Sequence, residues 1–393
     1  MVSEILFFGI ALLTLSSWIF WLITLFFAYS FFIQQTDSSN DYRPPVSILI
    51  PVKGLDAGAY NNFASFCSQN YPEYEVLVGV YDPDDPIRLV IEQLQRDFSG
   101  VAIRLIIAQP PGTNRKAAML NHLVGYAKHP VIIAVDSDMR ATPEYLSRVV
   151  SPLADPSVGL VTCTYRGIFA ETMTARLESL YMGSTFLPLV LVARKFLSMR
   201  FAMGATLALR RTDLDRLGGF ASVVDYLADD FQIGERMADL GYTIYLSHYI
   251  ITNVLGETTF RHHWDRLVRL SRTNHVCRPL EYPIQVVYFS TPLALILLVV
   301  GSMTPLTMSA LIFSMLIRWL VSWKISGWTN NLEMRRWLVL LPLQDGLDAV
   351  VWAVGLLGPH MVTWRGHKYR VLPDGRIVSA DMPAPQPVEI GES

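Results

Sequence analysis

Two aspartates stand two residues apart in the segment Asp136-Ser137-Asp138, directly after the apolar run 131–135. In an extended segment the side chains at positions i and i+2 point to the same side, so both carboxylates could bind one hard cation such as Mg²⁺ or Mn²⁺. A divalent metal there would neutralise a diphosphate, which is the main electrostatic need in cleaving a sugar-nucleotide bond. The alternative is that both are solvated turn residues, because turns favour aspartate.

Two further acidic segments could join the same chemistry. Asp82 opens the segment Asp-Pro-Asp-Asp-Pro after another apolar run. Asp229 and Asp230 open a helical pattern over residues 231–240. An aspartate at a helix start can cap the helix, which stabilises it by about 1 kcal/mol. Capping accounts for one carboxylate of this pair and leaves the other for another role.

Lys116 and a group of arginines are the basic candidates for binding phosphate. Lys116 lies at a loop-to-helix junction, where backbone N–H groups and a cation could meet a phosphate, or where a lysine could simply be solvated. Arg266 and Arg269 are three residues apart, so on a helix they share a face and could clamp one diphosphate. The arginine-rich stretch 261–278 could instead bind anionic head groups of a membrane.

Short apolar runs that are typical of buried strands alternate with helical patterns in the middle of the chain. Strands are predicted at 46–52, 75–81, 101–108 and 131–135, and helices up to about residue 69, at 87–98 and at 116–127. This alternation predicts an α/β fold with a mainly parallel, Rossmann-like sheet. Ligands of such sheets lie beyond the carboxyl ends of the strands, which is where Asp82 and Asp136 stand.

The two ends of the chain are more apolar than its middle. Of the 393 residues 51% are hydrophobic and 17% are charged, and the runs 5–33 and 284–317 contain no charged side chain. Because about 20 apolar residues in a helix span a bilayer, the first run predicts an N-terminal transmembrane anchor. The second run is too long for one span and has turn residues at 301–305, which predicts a transmembrane hairpin.

Counting the hairpin as two stretches, a fourth apolar stretch lies at 337–357 and contains Asp345 and Asp348. Because carboxylates are costly in hydrocarbon, a re-entrant or interfacial segment is favoured there. The basic residues after the hairpin and in the tail predict that both regions, and the central domain, face the cytoplasm. These residues are Lys324, Arg335, Arg336, Arg365, Lys368, Arg370 and Arg376. The chain therefore divides into an anchor (1–34), a central domain (35–283), a hairpin (284–323) and a re-entrant or interfacial segment with a basic tail (324–393).

Cysteine number and charge argue against other classes of protein. Cys67, Cys163 and Cys277 are too few and too scattered for a disulfide framework or a metal knuckle. The net charge is -2 and the sequence has no long basic run, so we expect no nucleic-acid partner.

Nine short motifs occur together over most of the chain. They are Pro51-Val-Lys-Gly, Tyr71-Pro-Glu-Tyr-Glu-Val, Asp82-Pro-Asp-Asp-Pro, Asn114-Arg-Lys, Asp136-Ser-Asp, Gly159-Leu-Val, Gly218-Gly-Phe, Leu227-Ala-Asp-Asp-Phe and Trp364-Arg-Gly-His-Lys-Tyr-Arg. In this combination the sequence resembles the ceramide glucosyltransferase-like family of inverting membrane glycosyltransferases, which have an A-type nucleotide-sugar fold.

The resemblance implies a UDP-sugar donor, a membrane-lipid acceptor and a divalent metal cofactor, Mg²⁺ or Mn²⁺. It implies that Asp82 helps to hold the uridine, and that Asp136 and Asp138 hold the metal and the diphosphate. Asp230 would be the base that deprotonates the acceptor hydroxyl. Inversion at the anomeric carbon would follow, because in-line displacement needs the base on the face opposite the leaving group.

Three segments look most like a bacterial branch of this family, which attaches N-acetylglucosamine to the polyol tail of the hopanoid bacteriohopanetetrol. They are Leu160-Val-Thr-Cys-Thr-Tyr-Arg-Gly, Leu187-Pro-Leu-Val-Leu-Val-Ala-Arg, and Arg272-Thr with Val276-Cys-Arg-Pro. Ceramide is the rival acceptor, because it too offers a primary hydroxyl at the membrane surface. The family's last motif reads Gln or Arg, then two residues, then Arg-Trp. Here Arg266-Leu-Val-Arg269 is followed by Leu270 in place of the tryptophan, which bears on the choice of acceptor. The expected location is the bacterial inner membrane.

Two other classes share parts of this pattern. A processive polysaccharide synthase has overlapping motifs, but it needs a channel that so few membrane helices would hardly enclose. A nonenzymatic sugar-nucleotide binder or membrane scaffold could keep the same fold. The presence of Asp82, Asp138 and Asp230 favours an enzyme.

Overall fold

The structure is a computed structural model that describes residues 2–34, 41–196, 198–364 and 366–380. Three parts of the sequence-based interpretation lie outside the described residues. They are the basic residue Arg365, residues 35–40 at the start of the central domain and residues 381–393 at the end of the tail.

Within the described residues, eight strands form one mixed sheet. They are β1 (Val46–Val52), β2 (Tyr74–Val80), β3 (Ala102–Ile107), β4 (Val131–Ala134), β5 (Met139–Arg140), β6 (Val158–Ala170), β7 (Leu207–Arg210) and β8 (Thr243–Gly256), in the order β3-β2-β1-β4-β7-β6-β8-β5. The first four strands in this order are parallel, β7 is antiparallel to both neighbours, and β6 runs parallel to β8. The predicted α/β fold with a mainly parallel sheet is confirmed.

Helices cover the sheet and form the apolar ends of the chain. They are α1 (Val2–Tyr29), α2 (Ala59–Cys67), α3 (Ile87–Asp97), α4 (Arg115–Val124), α5 (Tyr145–Val150), α6 (Met173–Tyr181), α7 (Leu187–Phe196), α8 (Arg211–Leu217), α9 (Asp229–Asp239), α10 (Phe260–Cys277), α11 (Ser290–Val300), α12 (Pro305–Trp328), α13 (Leu332–Arg336) and α14 (Leu341–Leu357). Strands β1 to β4 alternate with α2, α3 and α4, as the apolar periodicity predicts.

Both faces of the sheet are buried, because side chains alternate along each strand. Ile48 and Ile50 of β1 pack on one side with residues of α2, α3 and α5. Leu49 points to the other side and packs with residues of α4, α8 and α9. A sheet covered on both faces exposes only its ends, so the carboxyl ends of β1, β2 and β4 are the places where a ligand can reach the backbone.

Three helical stretches among the described residues are long and apolar enough to cross a membrane: Ser3–Ile33, Pro305–Trp328 and Leu338–Leu357. The apolar α11 is shorter. It packs against α12, and the break between these two helices falls at the turn residues expected from the sequence. The Nε1 atom of Trp18 on α1 donates a hydrogen bond to Ser314 on α12 (2.7 Å).

A buried ion pair joins α12 to α14. Arg318 Nη2 and Asp345 Oδ1 are 2.5 Å apart, and the two side chains are 2% and 3% exposed. Thr291 Oγ1 donates to the other carboxylate oxygen (2.7 Å), and the guanidinium lies 3.9 Å from the ring centroid of Trp21. The pair shows how an apolar helix accommodates a carboxylate, since each charge has a charged and a polar partner. The re-entrant or interfacial placement of 337–357 stays a prediction.

The last described residues fold back onto the central domain. In this part of the chain β9 (Met361–Trp364), β10 (His367–Val371) and β11 (Ile377–Ser379) form a small antiparallel sheet. The N–H of Ile377 donates to the carbonyl of Asp225 (2.8 Å), and the N–H of Leu227 donates to the carbonyl of Gly375 (3.2 Å). The tail therefore holds the loop that leads directly into Asp229 and Asp230.

Candidate active site

Lys116 and Asp136 meet at the carboxyl end of β4. The Nζ of Lys116, in the first turn of α4, is 2.6 Å from Oδ1 of Asp136. Burial alone lowers the pKa of Lys116, but the neighbouring carboxylates, Asp136 before Asp229 and Asp230, raise it above its usual value. The lysine is therefore a permanent cation beside the predicted diphosphate site.

Asp230 reaches the same place from α9. Its Oδ2 accepts a hydrogen bond from the N–H of Gly204 (2.7 Å), and its Oδ1 accepts one from the N–H of Phe231 (2.8 Å). Burial, and then repulsion from Asp229, raises the pKa of Asp230 to about 6, although Lys116 acts in the opposite direction. A carboxylate with this pKa is unprotonated at neutral pH and basic enough to accept a proton from a reacting hydroxyl.

Gly204 marks the point where these side chains converge. A Cβ at this position would lie 2.7 Å from Lys116 Nζ, 3.3 Å from Asp230 Oδ2 and 3.5 Å from Asp136 Oδ2. Three predicted site residues from α4, α9 and the end of β4 thus surround one glycine. The missing side chain leaves the space that they share.

Asp138 has the features of a cation ligand. Its Oδ1 is buried and has no hydrogen-bond partner among the described residues. Burial, and then the charges of Asp136 and Asp56, raises the pKa of Asp138 to about 6. A divalent cation would compensate this buried charge, so the donor set fits Mg²⁺ or Mn²⁺. No group of three or more His, Cys, Asp or Glu side chains within the described residues could hold a metal, so phosphate and water would complete the shell.

Asp229 is oriented by Asn114. The Nδ2 of Asn114 donates to Asp229 Oδ1 (3.2 Å) and to the carbonyl of Tyr226 (2.8 Å), while its Oδ1 accepts from the N–H of Ala117 and caps α4. The N-cap position of α9 is Ala228 and has no side-chain cap. Helix capping therefore explains neither carboxylate of the Asp229-Asp230 pair.

Asp82 lies after β2 in an exposed turn, where its Oδ1 accepts from the N–H of Asp84 (2.9 Å). The neighbouring Asp85 is buried. Its Oδ2 accepts from the N–H of Gly54 (2.8 Å) and its Oδ1 from the N–H of Ile87 (3.0 Å), which ties the loop after β1 to the start of α3. The turn that presents Asp82 is thus held in place by a carboxylate that the sequence analysis did not single out.

Arg266 and Arg269 share a helix but have different neighbours. Arg266 forms an ion pair with the buried Glu178 of α6. Burial lowers the pKa of Arg266, but Glu178, and then Tyr165 and Asp138, raises it above its usual value. Arg269 lies over the ring of Trp364 in β9, 5.6 Å from its centroid. Arg266 is therefore the arginine that interacts electrostatically with the aspartate cluster, while Arg269 contacts the tail sheet.

The sequence model of the family described as Glycosyl transferase family 21 matches residues 5–377. The chain belongs to glycosyl transferase family 21. The predicted ceramide glucosyltransferase-like family is thereby confirmed.

Curated relatives of this family 21 chain include two proteins of Caenorhabditis elegans. Ceramide glucosyltransferase 3 is 25% identical over 228 residues, which are 58% of this chain and 50% of the relative. Ceramide glucosyltransferase 1 is 23% identical over 269 residues, which are 66% of this chain and 58% of the relative. The chain thus spans half the length of the first relative and 58% of the second.

A solved structure shares the fold. A mannosyltransferase from Pyrobaculum calidifontis, PcManGT in complex with GDP-Man and Mn²⁺, superposes with a TM-score of 0.55 at 18% identity. The match covers 91% of this family 21 chain and 99% of the mannosyltransferase. This likeness shows the glycosyltransferase fold over 91% of the chain.

Tyr165 lies near the aspartate cluster, and sequence reasoning missed it. It lies at an irregularity in the pairing of β6 with β8, and its ring stacks on Phe186 with centroids 5.0 Å apart. Burial raises the pKa of Tyr165 to about 12; Arg266 lowers it, and the Asp230, Asp136 and Asp138 carboxylates raise it. No periodicity or short motif marks this residue, because its register is set by pairing with a strand that is distant in the sequence.

Proposed function

We propose that this family 21 chain transfers a sugar from a UDP-sugar to a hydroxyl of a membrane lipid, with inversion at the anomeric carbon. The convergence of Lys116, Asp136 and Asp230 around Gly204 carries the proposal. Lys116 is a fixed cation, Asp136 is a carboxylate next to the proposed diphosphate site, and Asp230 is a base whose pKa of about 6 suits neutral pH. These are the groups that displacement of a diphosphate by an alcohol requires.

The chain's own residues divide the reaction between them. Asp230 accepts the proton of the acceptor hydroxyl, whose oxygen then forms the bond to the anomeric carbon as the bond to UDP breaks. The N–H groups of Gly204 and Phe231 hold the Asp230 carboxylate in position. Lys116 contributes a positive charge next to Asp136, where the leaving diphosphate gains negative charge.

Asp136 and Asp138 would hold a divalent metal, for which the buried, unpartnered Oδ1 of Asp138 is the best support. A bound Mg²⁺ or Mn²⁺ supplies charge neutralisation to the diphosphate. The similar mannosyltransferase structure contains Mn²⁺. Asp82 is proposed to contact the uridine from its exposed turn, and Arg266 to contribute a second cation on the diphosphate side. Arg269 would extend this positive surface toward the tail sheet.

The proposed acceptor is a hopanoid polyol and the proposed sugar N-acetylglucosamine, on the strength of the three motif segments described above. Ceramide with glucose is the second candidate, because two curated relatives carry the name ceramide glucosyltransferase. Both acceptors present a primary hydroxyl at a membrane surface, so the same base and the same donor site serve either.

The proposed placement is in the bacterial inner membrane, with the central domain in the cytoplasm. Contacts at both ends of α14 support a re-entrant or interfacial position for 337–357. Leu338, just before α14, packs with Leu177 and Leu180 of α6. Near its other end the carbonyl of Gly355 bonds with His275 Nδ1 of α10 (3.1 Å). Because α6 and α10 both belong to the central domain, these contacts support a placement with both ends of the segment on the central domain's side of the membrane.

The test is sugar transfer by the purified full chain in detergent. Labelled UDP-N-acetylglucosamine and UDP-glucose are each offered with bacteriohopanetetrol or ceramide, in Mg²⁺, in Mn²⁺ and in a chelator. Asp230→Asn is expected to abolish transfer, whereas Asp97→Asn, at an exposed carboxylate of α3, is expected to leave it intact. A labelled hopanoid supports the leading assignment, and a labelled ceramide supports the second. Transfer that survives Asp230→Asn would overturn the proposed mechanism.

A further inference from the structure

A cleft lies beside the turn that connects α12 to α14. Its volume is about 350 Å³, and it is lined by Ala170, Arg176, Leu332, Glu333, Arg336 and Trp337. It therefore lies between the end of β6, the first turns of α6 and the short helix α13. None of the residues proposed to bind the donor or to act in catalysis lines it.

The turn is fixed to the end of β6 by Glu333. One carboxylate oxygen of Glu333 accepts from the N–H of Phe169 (2.7 Å) and the other accepts from the N–H of Ala170 (2.8 Å). Asn331 Nδ2 donates to the carbonyl of Gly167 (3.1 Å). The cleft is thus a built feature of the fold, and the one acidic group in its lining is already hydrogen-bonded to backbone N–H groups.

Within the described residues, the two arginines of the cleft have no anionic partner. The guanidinium of Arg176 lies 3.9 Å from the ring centroid of Trp337, and its Nε is buried without a hydrogen-bond partner within the described residues. Arg336 is exposed, and over the described ranges it has no ion pair. A guanidinium that is stacked on an indole and partly desolvated binds phosphate oxygens strongly, because its planar donors match them in pairs.

The cleft lies at the level where lipid head groups would be. It directly follows the C-terminal end of α12, which carries Trp319 and Trp323 with ring centroids 6.1 Å apart. Tryptophans at the end of an apolar helix mark the membrane interface. Apolar side chains next to the cleft face outward, since Leu332 is 56% and Val339 78% exposed. The surroundings are thus apolar toward the bilayer and cationic toward the central domain.

From these contacts we propose that the cleft binds the head group of an anionic phospholipid. The guanidiniums of Arg176 and Arg336 contact the phosphate, while Leu332 and Trp337 pack on the glycerol backbone and the first methylenes. A volume of about 350 Å³ suits a phosphoglycerol head group. This inference rests on the membrane placement given under the proposed function, and it adds a lipid site that is separate from the acceptor site.

The experiment measures the thermal stability of the full chain in neutral detergent micelles as lipid is titrated in. Phosphatidylglycerol is compared with phosphatidylcholine, whose phosphate is balanced by a cation, and with inorganic phosphate at equal phosphate concentration. A ligand that binds only the folded state raises Tm with its concentration, so the titration yields an apparent affinity. We expect phosphatidylglycerol to raise Tm and the other two to raise it much less.

Arginine variants locate the effect. Arg336→Gln is expected to weaken the apparent affinity for phosphatidylglycerol about tenfold, since it removes a charged hydrogen-bond donor. Arg176→Gln should do the same, and Arg96→Gln, an exposed arginine of α3, should leave the affinity unchanged. If Arg176→Gln fails to fold, the exposed Arg336 still provides the test.

Three results would overturn the proposal: equal effects of phosphatidylglycerol and phosphatidylcholine on Tm, an equal effect of inorganic phosphate on Tm, or wild-type lipid affinity in Arg336→Gln.

Sugar transfer to a detergent-solubilised acceptor is measured on the same samples. Arg336→Gln should retain transfer that depends on Asp230, so loss of the lipid response alone separates this site from the catalytic one. Absence of transfer in the wild type, with the lipid response intact, would count against the proposed function and leave the lipid site standing.

Discussion

At the scale of single residues, Gly204 lies where the side chains proposed to bind the diphosphate and to act as the base come together. In Gly204→Ala the new Cβ would lie 2.7 Å from Lys116 Nζ, so this end of the lysine side chain must shift relative to Asp136. Because a shift of about 1 Å at a reacting centre can reduce the rate roughly 100-fold, we expect a loss of that order in kcat with Tm little changed. Initial rates of sugar transfer and a thermal melt measure the two quantities.

The matched control for this change is Gly100→Ala, where an added Cβ meets no atom within 4 Å. It should keep wild-type activity and stability. A fully active Gly204→Ala variant would mean that the space around this glycine is not where the reacting groups meet.

The pH profile of transfer follows from the environment of Asp230. The base must be unprotonated, and its pKa is about 6, so kcat/KM should be constant above pH 7 and fall about tenfold per unit below pH 6. Asp229→Asn removes the repulsion that helps to raise this pKa, so the acidic limb of the profile should move to lower pH. Asp97→Asn should leave the limb in place, and an unshifted limb in Asp229→Asn would argue against Asp230 as the titrating base.

At the scale of elements, the ion pair of Glu178 with Arg266 joins α6 to α10. Glu178 is 4% exposed at its side chain, and the buried His263 also lies near it, with Nδ1 3.7 Å from Oε2. Glu178→Gln leaves the arginine without its charged partner, which is expected to lower the free energy of unfolding by about 3 kcal/mol. Thermal and denaturant unfolding in detergent measure this loss.

The double variant Glu178→Gln/Arg266→Met separates structure from donor binding. Removing both charges should restore most of the stability, because no buried charge is left unpaired. The KM for the UDP-sugar should nevertheless stay raised if Arg266 contacts the diphosphate. A double variant with wild-type KM would limit Arg266 to a structural role.

The same elements show which parts of the fold are predictable from the sequence. Strands β1 to β4 and the acidic residues at their ends follow from local apolar periodicity, and they place Asp82 and Asp136 correctly after the strands. Glu178 and Arg266 are 88 residues apart, so no local period connects them. The tail sheet and the position of Tyr165 were missed for the same reason, since both depend on pairing between distant segments.

At the scale of the whole molecule, the tail sheet constrains how the apolar helices can cross a membrane. The tail is hydrogen-bonded to Asp225 and Leu227, so it must lie on the side of the central domain. If α14 crossed the bilayer completely, the tail would emerge on the opposite side and these bonds could not form. The turn between α11 and α12, by contrast, lies at the far end of a helix of 24 residues, which spans about 36 Å.

Cysteine labelling with a membrane-impermeant maleimide tests this arrangement. We expect Lys368→Cys in the tail to label from the same side as Arg96→Cys in the central domain, and Met303→Cys in the α11–α12 turn to label from the other side. The native Cys67 and Cys163 are buried, and the partly exposed Cys277 is replaced by serine to keep the background low. Because the reagent cannot cross the membrane, right-side-out vesicles are labelled on one face of the membrane and inverted vesicles on the opposite face. If Lys368→Cys is labelled from the same side as Met303→Cys, residues 337–357 cross the membrane. The tail sheet could then not stay hydrogen-bonded to the loop before Asp229.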